Sequence, residues 1–346
     1  MKIAFLEIKD WEQEYLKNRL PGHEFFFSPE RLTPELLPQL RDFEVLSPFI
    51  YSQISATVLA ALPALRLVAT RSTGYDHVDL AGCAGRGIAV ANVPTYGENT
   101  VAEHTFALML ALSRKIHQSY ARVMRGDYSL EGLTGFDLKE KTLGVVGAGK
   151  IGLHVIKIGR GFGMRVLVYD PFRNPFLAEL LGYSYASIDE LLASSDIVTL
   201  HMPYSPALHH FMNREKFALM KPGALFINTA RGRLVDTDAL LEALESRRLA
   251  GAGLDVVEGE ELIQEEKQLL YQPQSLEKLQ AVVRTHVLFR HENVIFTPHN
   301  AFNSKEALER ILETTVENIL NFAHGRPTNL VKPIGPIESS AQATAA

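Results

Sequence analysis

The sequence predicts an α/β protein made of two doubly wound parallel-sheet domains with a cleft between them, and three observations lead there. The chain has 346 residues, which is more than one ordinary hydrophobic core accommodates. Short apolar runs alternate with amphipathic stretches of helical length, as βαβ units around a sheet buried on both faces require. A long apolar stretch at 99–124 separates one such series from a second.

In the first series KIAFLE (2–7), HEFFFS (23–28), FEVLSPF (43–49), LRLVATR (65–71) and IAVANVP (88–94) read as strands. WEQEYLKNRL, SATVLAALP and VDLAGCAGRG supply helices between them. The stretch NTVAEHTFALMLALSRKIHQSYARVM reads as one buried crossover helix, too interrupted by His and Glu to span a membrane. The second series runs through KTLGVVG (141–147), MRVLVYD (164–170), DIVTLHM (196–202), ALFINTA (224–230), GAGLDVV (251–257) and NVIFTP (293–298). Ser187 and Glu190 have the spacing of a capping box ahead of LLASS. The segment 261–292 reads as an extra helical excursion, and a last helix covers 304–323. The closing 333–346 is small, polar and aperiodic, the composition of a disordered tail.

Composition narrows the function. A net charge of −5 with no basic stripe argues against a nucleic-acid partner, because nothing neutralises phosphates. No charge-free window reaches membrane-span length, and the N-terminus lacks a signal-peptide core. The lone Cys83 excludes an intrachain disulfide framework and suits a reducing cytoplasm. Within LAGCAGRG it reads as a small buried hydrophobe rather than a nucleophile.

The clearest local motif is Gly147-Ala-Gly149-Lys-Ile-Gly152, which follows one strand, opens a helix, and precedes a strand ending in Asp170, 18 residues beyond Gly152. This is the context of a Rossmann-like dinucleotide site. Gly147 allows the tight turn, Gly149 the approach of a pyrophosphate, and Gly152 close helix–strand packing. The anion then meets the helix N-terminus, whose free N–H groups and dipole favour it. Asp170 accepts from the adenosine ribose hydroxyls and repels a 2′-phosphate, so the expected cofactor is NAD rather than NADP. Arg173, three residues on, reads as a solvated loop charge.

The other polar residues of the second series matter because of where they fall. Met202-Pro203, Thr229-Ala230-Arg231, Asp255 with Glu260, and His299 lie at or just past C-terminal strand ends. In a doubly wound sheet those ends share an edge, beside which ligands bind. Arg231 directly follows an apolar run, an unusual place for an arginine with only a structural role. His299 alone reads equally well as a strand-capping loop residue.

Taken together, VVGAGKIG, INTARGRLVDTDAL, AGLDVVEGEE and TPHNAF occur in an order that resembles the D-isomer-specific 2-hydroxyacid dehydrogenase family, over about residues 40–325. The resemblance implies a catalytic trio of Arg231, Glu260 and His299. It implies NAD contacts from the Lys150 and Ile151 backbone, Asp170, Pro203, Thr229, Arg231 and Asp255. It implies a discontinuous substrate domain (1–98 plus 301–332), a flavodoxin-like sheet wrapped around an NAD-binding domain (99–300), and a homodimer joined through the latter. The partner is then a small 2-keto or 2-hydroxy acid, and nothing in the scheme calls for a metal ion.

The chemistry needs these residue types. Reduction of a 2-keto acid requires a proton on the carbonyl oxygen, which a histidine can give and take back near neutrality. Glu260 would hold the imidazolium and orient the ring, while the planar fork of Arg231 suits a carboxylate and a carbonyl. In the first domain, Thr73 and Gly74 stand where relatives hold the carboxylate with backbone N–H groups. Phe49 or Tyr51, Tyr96 and Phe302 supply aromatics around the expected pocket. EGLTGFDL and YDPFRNP resemble the D-lactate dehydrogenase branch, whereas YGENTVAEHT resembles the phosphoglycerate and glyoxylate branches. A phosphoglycerate enzyme needs a basic cluster, and only Arg71 and Arg231 are evident. A formate dehydrogenase would carry Gln in place of Glu260. A non-enzymatic NADH-binding corepressor, which keeps the same trio, remains the alternative of a different class.

Overall fold

In the computed structural model of the chain, residues 1–260 and 276–331 are described. They form two compact units, one of Met1–Tyr96 with residues 304–331, the other of Gly97–Asn303. The expected tail at 333–346 and residues 261–275 of the expected excursion lie outside the described residues.

The first unit is built on five strands, β1 (Lys2–Phe5), β2 (Glu24–Phe27), β3 (Val45–Ser47), β4 (Leu67–Ala69) and β5 (Ala89–Ala91). All pairings are parallel, in the order β2-β1-β3-β4-β5. Alternate side chains serve opposite faces, as a pleated strand demands. Ile3 and Phe5 pack with Leu16, Val45, Leu67 and Ile319, whereas Ala4 and Leu6 pack with Leu46, Ile54, Leu59 and Val68. The helix Lys305–Ala323 buries Leu312, Val316 and Ile319 in this core, so the end of the chain completes the unit that its beginning starts.

The second unit carries β6 (Thr142–Val146), β7 (Arg165–Tyr169), β8 (Ser184–Tyr185), β9 (Ile197–Leu200), β10 (Ala224–Asn228), β11 (Leu249–Leu254) and β12 (Val294–Phe296). The sheet is parallel throughout, in the order β12-β11-β10-β9-β6-β7-β8. Strand order reverses at β6, which lies between β9 and β7, and that reversal is the switch point where such sheets open a crevice. Leu143, Val145, Ile197, Leu225 and Ile227 fill one face, and Val146, Val198, Leu200, Phe226 and Leu254 the other. The capping box forms as expected: Ser187 Oγ accepts from Glu190 N at 3.3 Å, and Glu190 Oε2 accepts from Ser187 N at 3.0 Å.

One expectation needs correction. The apolar stretch 99–124 is two helices, Glu98–Ser113 and Ile116–Val123. Lys115, at φ 52°, turns left-handed between them, and Phe136 N donates to Ser113 O at 2.9 Å, so the returning chain takes a carbonyl at the end of the first helix. The first half buries nine residues and the second none, so hydropathy alone read them as continuous. The two-residue β8 was not anticipated, since so short an edge strand leaves no alternation to detect. Of the excursion, Leu276–Phe289 is a helix packed on β12 and on the helix Thr237–Glu245, with Phe289 stacked on Phe296 at 4.0 Å. Among the described residues no helix is long and apolar enough to cross a membrane.

Candidate active site

Because the second sheet is parallel, its strands all deliver their C-terminal loops to one edge, and the candidate residues follow those ends. After β6, Gly147 adopts φ 97°, a conformation open to glycine. A Cβ there would lie 2.6 Å from the His201 carbonyl oxygen. A Cβ on Gly152 would lie 2.1 Å from the Gly147 carbonyl oxygen, so the turn and the helix Lys150–Gly161 close on each other through two bare backbones. Gly149, the N-cap, differs, for nothing lies within 4 Å of its missing side chain. That open space, next to helix N–H groups with no intrahelical acceptor, fits a pyrophosphate. Asp170 after β7 faces the same loop, its Oδ2 accepting from Ala148 N at 2.7 Å and its Oδ1 from Phe172 N at 2.7 Å. Both oxygens retain a lone pair for ribose hydroxyls. The Arg173 guanidinium lies 5.5 Å from the centre of the Tyr185 ring, a cation–π contact rather than a free loop charge.

His201, after β9 and before Met202-Pro203, is a second histidine at this edge. Desolvation pushes its imidazole down to about 3, and its Nε2 lies 2.9 Å from Thr199 Oγ1. It is neutral near pH 7 and tied to its own strand, which makes it a structural histidine. After β10, Thr229 Oγ1 meets Thr105 Oγ1 at 3.0 Å, and Ala230 N donates to Asn228 Oδ1 at 3.0 Å. Asn228 Nδ2 donates to the Arg231 carbonyl at 3.0 Å, and Arg231 Nη1 reaches the Ala230 carbonyl at 2.7 Å. A Cβ on Gly232 would lie 2.1 Å from the Val257 carbonyl carbon. The turn bearing Arg231 therefore presses against the segment that leads to Glu260.

Asp255 ends β11 with only 1% of its surface exposed. Its carboxylate accepts from Thr297 Oγ1 at 2.5 Å, Asn300 N at 3.0 Å and Ala301 N at 2.9 Å. The loop after β12 is thus tied down on both sides of His299. His299 N donates to the Asp255 carbonyl at 2.9 Å and to the Thr297 carbonyl at 2.8 Å, the second bond closing a three-residue turn around Pro298. His299 itself takes φ 49°, a left-handed conformation that histidine visits more readily than bulky residues do. In that pose His299 Nδ1 stands 2.7 Å from Glu260 Oε1, with both side chains about one-fifth exposed (23% and 21%). With Nδ1 directed at the carboxylate, Nε2 is the nitrogen left to exchange a proton with another oxygen. Sequence reasoning placed Asp255 among cofactor contacts. In the structure its carboxylate also accepts from the 297–301 loop that carries His299, and its Oδ1 lies 3.6 Å from His104 Nε2.

In the first unit, Thr73 and Gly74 lie in the loop after β4. Thr73 Oγ1 donates to the Val93 carbonyl at 2.7 Å, and the Gly74 carbonyl accepts from Ser72 Oγ at 2.6 Å. Tyr96 is half-buried and its carbonyl accepts from Arg310 Nε at 2.6 Å. Phe49 is half-buried beside the Arg71 guanidinium, 5.9 Å from its ring centre. Phe302, also half-buried, belongs to the second unit. Arg71 is 2% exposed and spends its guanidinium on the carbonyls of Leu6, Glu7 and Ser47, so it is a buried brace and no phosphate ligand. Burial lowers its pKa from the usual arginine value. Glu7 was missed by sequence reasoning: at φ 56° it accepts from the backbone N–H groups of Phe49, Tyr51 and Ser52 and shapes that loop. A charge directly after the apolar run KIAFL was the available signal.

Residues 106–301 match the family model described as the D-isomer specific 2-hydroxyacid dehydrogenase NAD binding domain. A 2-hydroxyacid dehydrogenase homolog of Haemophilus influenzae is 39% identical over 338 residues, covering 96% of this chain and all (100%) of that protein. A D-lactate dehydrogenase of Escherichia coli is 36% identical over 337 residues, with 96% and 100% covered. Among solved structures, the D-lactate dehydrogenase of Aquifex aeolicus in complex with NAD and lactic acid superposes with a TM-score of 0.86 at 36% identity, covering 94% of this chain and 96% of that one.

The role of Asp255 is open to direct measurement. Asp255→Ala leaves the Asn300 and Ala301 N–H groups without their acceptor, a cost of about 1–3 kcal/mol for each group that stays buried. Hydrogen exchange at those two amides should accelerate well before global unfolding. Unchanged protection would show that the carboxylate does not hold the loop.

Proposed function

The chain belongs to the D-isomer specific 2-hydroxyacid dehydrogenase family, and from that premise we propose that it reduces a small keto acid of the pyruvate class with His299 as the acid/base. It is an NAD-dependent dehydrogenase that interconverts 2-keto and D-2-hydroxy acids. Bound NADH supplies the hydride for C2 of the keto acid, and NAD+ takes it back in the reverse direction. Gly147, Gly149, Gly152 and the Lys150 and Ile151 backbone would cradle the pyrophosphate, Asp170 would take the adenosine ribose, and Met202, Pro203, Thr229, Ala230 and Asp255 would line the nicotinamide side. Arg231 binds the substrate carboxylate and polarises the carbonyl. His299 Nε2 gives its proton to the carbonyl oxygen as the hydroxyl forms and removes it in the oxidation. Glu260 steadies the imidazolium through Nδ1 and keeps Nε2 pointed outward.

The reading rests on one observation above all, the 2.7 Å pairing of His299 with Glu260. Next to it, Gly232 packs against Val257 and brings the Arg231 turn alongside. In the first unit, the N–H groups of Thr73 and Gly74 have no protein acceptor among the described residues, which suits them to a substrate carboxylate. Phe49 and Tyr96 of the first unit, and Phe302 of the second, are proposed substrate contacts. Pyruvate is favoured over phosphoglycerate because Arg71 is consumed by backbone carbonyls, which removes one of the two basic groups a phosphate could use. D-lactate dehydrogenase is also the name of the relative and of the solved structure described above.

We further propose a cytoplasmic homodimer. The helix Ile116–Val123 buries none of its residues. Ile116, Tyr120 and Met124 are 53%, 67% and 69% exposed, an apolar face fit for a second copy. Sedimentation should give twice the mass of one chain, and a Tyr120→Glu, Met124→Glu double variant should halve it. A wild-type monomer contradicts this.

A panel of 2-keto acids offered with NADH and with NADPH tests the reaction. Pyruvate should turn over best among small keto acids and phosphohydroxypyruvate poorly, with NADH strongly preferred. A phosphorylated acid leading the panel would move the protein to the other branch, and no turnover at all would favour the corepressor reading. His299→Gln should lose about 10²-fold or more in kcat in both directions while NADH still binds. Arg231→Ala should likewise spare NADH affinity, and equal loss of both would overturn its assignment to the substrate.

A further inference from the structure

Beyond the strand-end residues, the second unit gathers His209, His210 and Glu258, whose candidate ligand atoms all lie within 4.8 Å of one another. His210 Nε2 is 2.9 Å from Glu258 Oε2, and His209 Nε2 is 3.9 Å from Glu258 Oε1. The side chains of His209, His210 and Glu258 are 46%, 36% and 32% exposed, so an ion from solvent can reach them.

The backbone is arranged to make this meeting happen. Consecutive side chains of an extended chain point to opposite sides. Here His210 takes φ 52°, left-handed, and the two imidazoles stack with centroids 3.9 Å apart and planes 23° apart. The turn is pinned by His210 N donating to the Arg233 carbonyl at 3.0 Å and by Met212 N donating to the Leu234 carbonyl at 2.9 Å. A left-handed conformation persists at a histidine only where surrounding bonds over-determine it, and here it places two ring nitrogens beside one carboxylate.

We propose that His209, His210 and Glu258 form a binding site for a divalent transition-metal ion, with zinc the best match. Two imidazoles and one carboxylate, completed by water, are a borderline donor set that suits zinc, whereas magnesium and calcium require oxygen ligands. Ligand atoms bound at about 2.0–2.1 Å in a tetrahedron stand roughly 3.3 Å apart; here the two imidazoles lie 2.9 and 3.9 Å from different oxygens of Glu258, and all three ligand atoms lie within 4.8 Å, so small side-chain rotations bring them to that spacing. The rings must fan open from their stack to converge on one ion, a rotation that their exposure permits. The ion would tie the 209–210 turn to Glu258, two residues before Glu260, and stiffen the support of that carboxylate.

Titration of the full chain with Zn2+ and with Co2+ tests this without reference to catalysis. The wild type should bind one equivalent saturably, gain thermal stability, and show with Co2+ the strong visible absorption of a four-coordinate ion. Each of His209→Gln, His210→Gln and Glu258→Gln should weaken that site by more than the roughly 10–100-fold lost with an outer-shell partner. The chain has 12 histidines, so His324→Gln, at an exposed position, serves as control and should bind as the wild type does. Equal binding in all three site variants would assign the metal elsewhere and overturn the proposal, as would the absence of saturable binding. Failure of keto-acid reduction would leave this result untouched, since no readout here depends on turnover.

Discussion

Every strand of the seven-stranded sheet runs in the same direction, and the chemistry depends on that constraint. Parallel pairing forces each connection to cross back over a face and each C-terminal loop to emerge at one edge. Gly147, Asp170, Met202, Thr229, Asp255 and His299 are spread over more than 150 residues of sequence, yet all follow strands of this one sheet. The reversal of order at β6, beside the glycine turn, is where sheets of this kind open a crevice. Had any of these strands run antiparallel, its polar residue would have emerged at the opposite edge.

Edge placement brings the loops together but does not aim them, and the aiming is done by buried polar contacts. Asp255 holds the His299 loop through a hydroxyl and two backbone N–H groups, and Glu7 holds the 49–52 loop in the same manner. His299 and Glu7 both adopt left-handed backbone conformations at φ 49° and 56°. Such conformations persist only where surrounding bonds over-determine them. In each case a carboxylate accepting several N–H groups provides that determination.

Much of this was legible in the sequence, for reasons that differ by element. The strands were visible as apolar runs because parallel strands are buried on both faces, although the structure trims one to three residues from most ends. The glycine motif was legible because each glycine answers a steric demand, and the Cβ clashes at Gly147 and Gly152 show that demand in distances. The pairing of Glu260 with His299 was reached through resemblance, since 39 residues separate them and no local pattern links them. Three features stayed hidden. The break at Lys115 depends on a hydrogen bond from Phe136, the bracing role of Arg71 on carbonyls of two other strand ends, and the loop-holding role of Asp255 on a turn 42 residues away. All three are tertiary contacts, which periodicity and propensity do not encode.

With a hydride delivered to C2 and a proton to its oxygen at this edge, Arg231 would set which face of the carbonyl is reduced. Such an arrangement makes a single enantiomer. Reduction of pyruvate by NADH with the purified full chain, followed by chiral chromatography of the product, tests this most directly. D-lactate alone is expected; L-lactate or a racemate would contradict the proposed orientation.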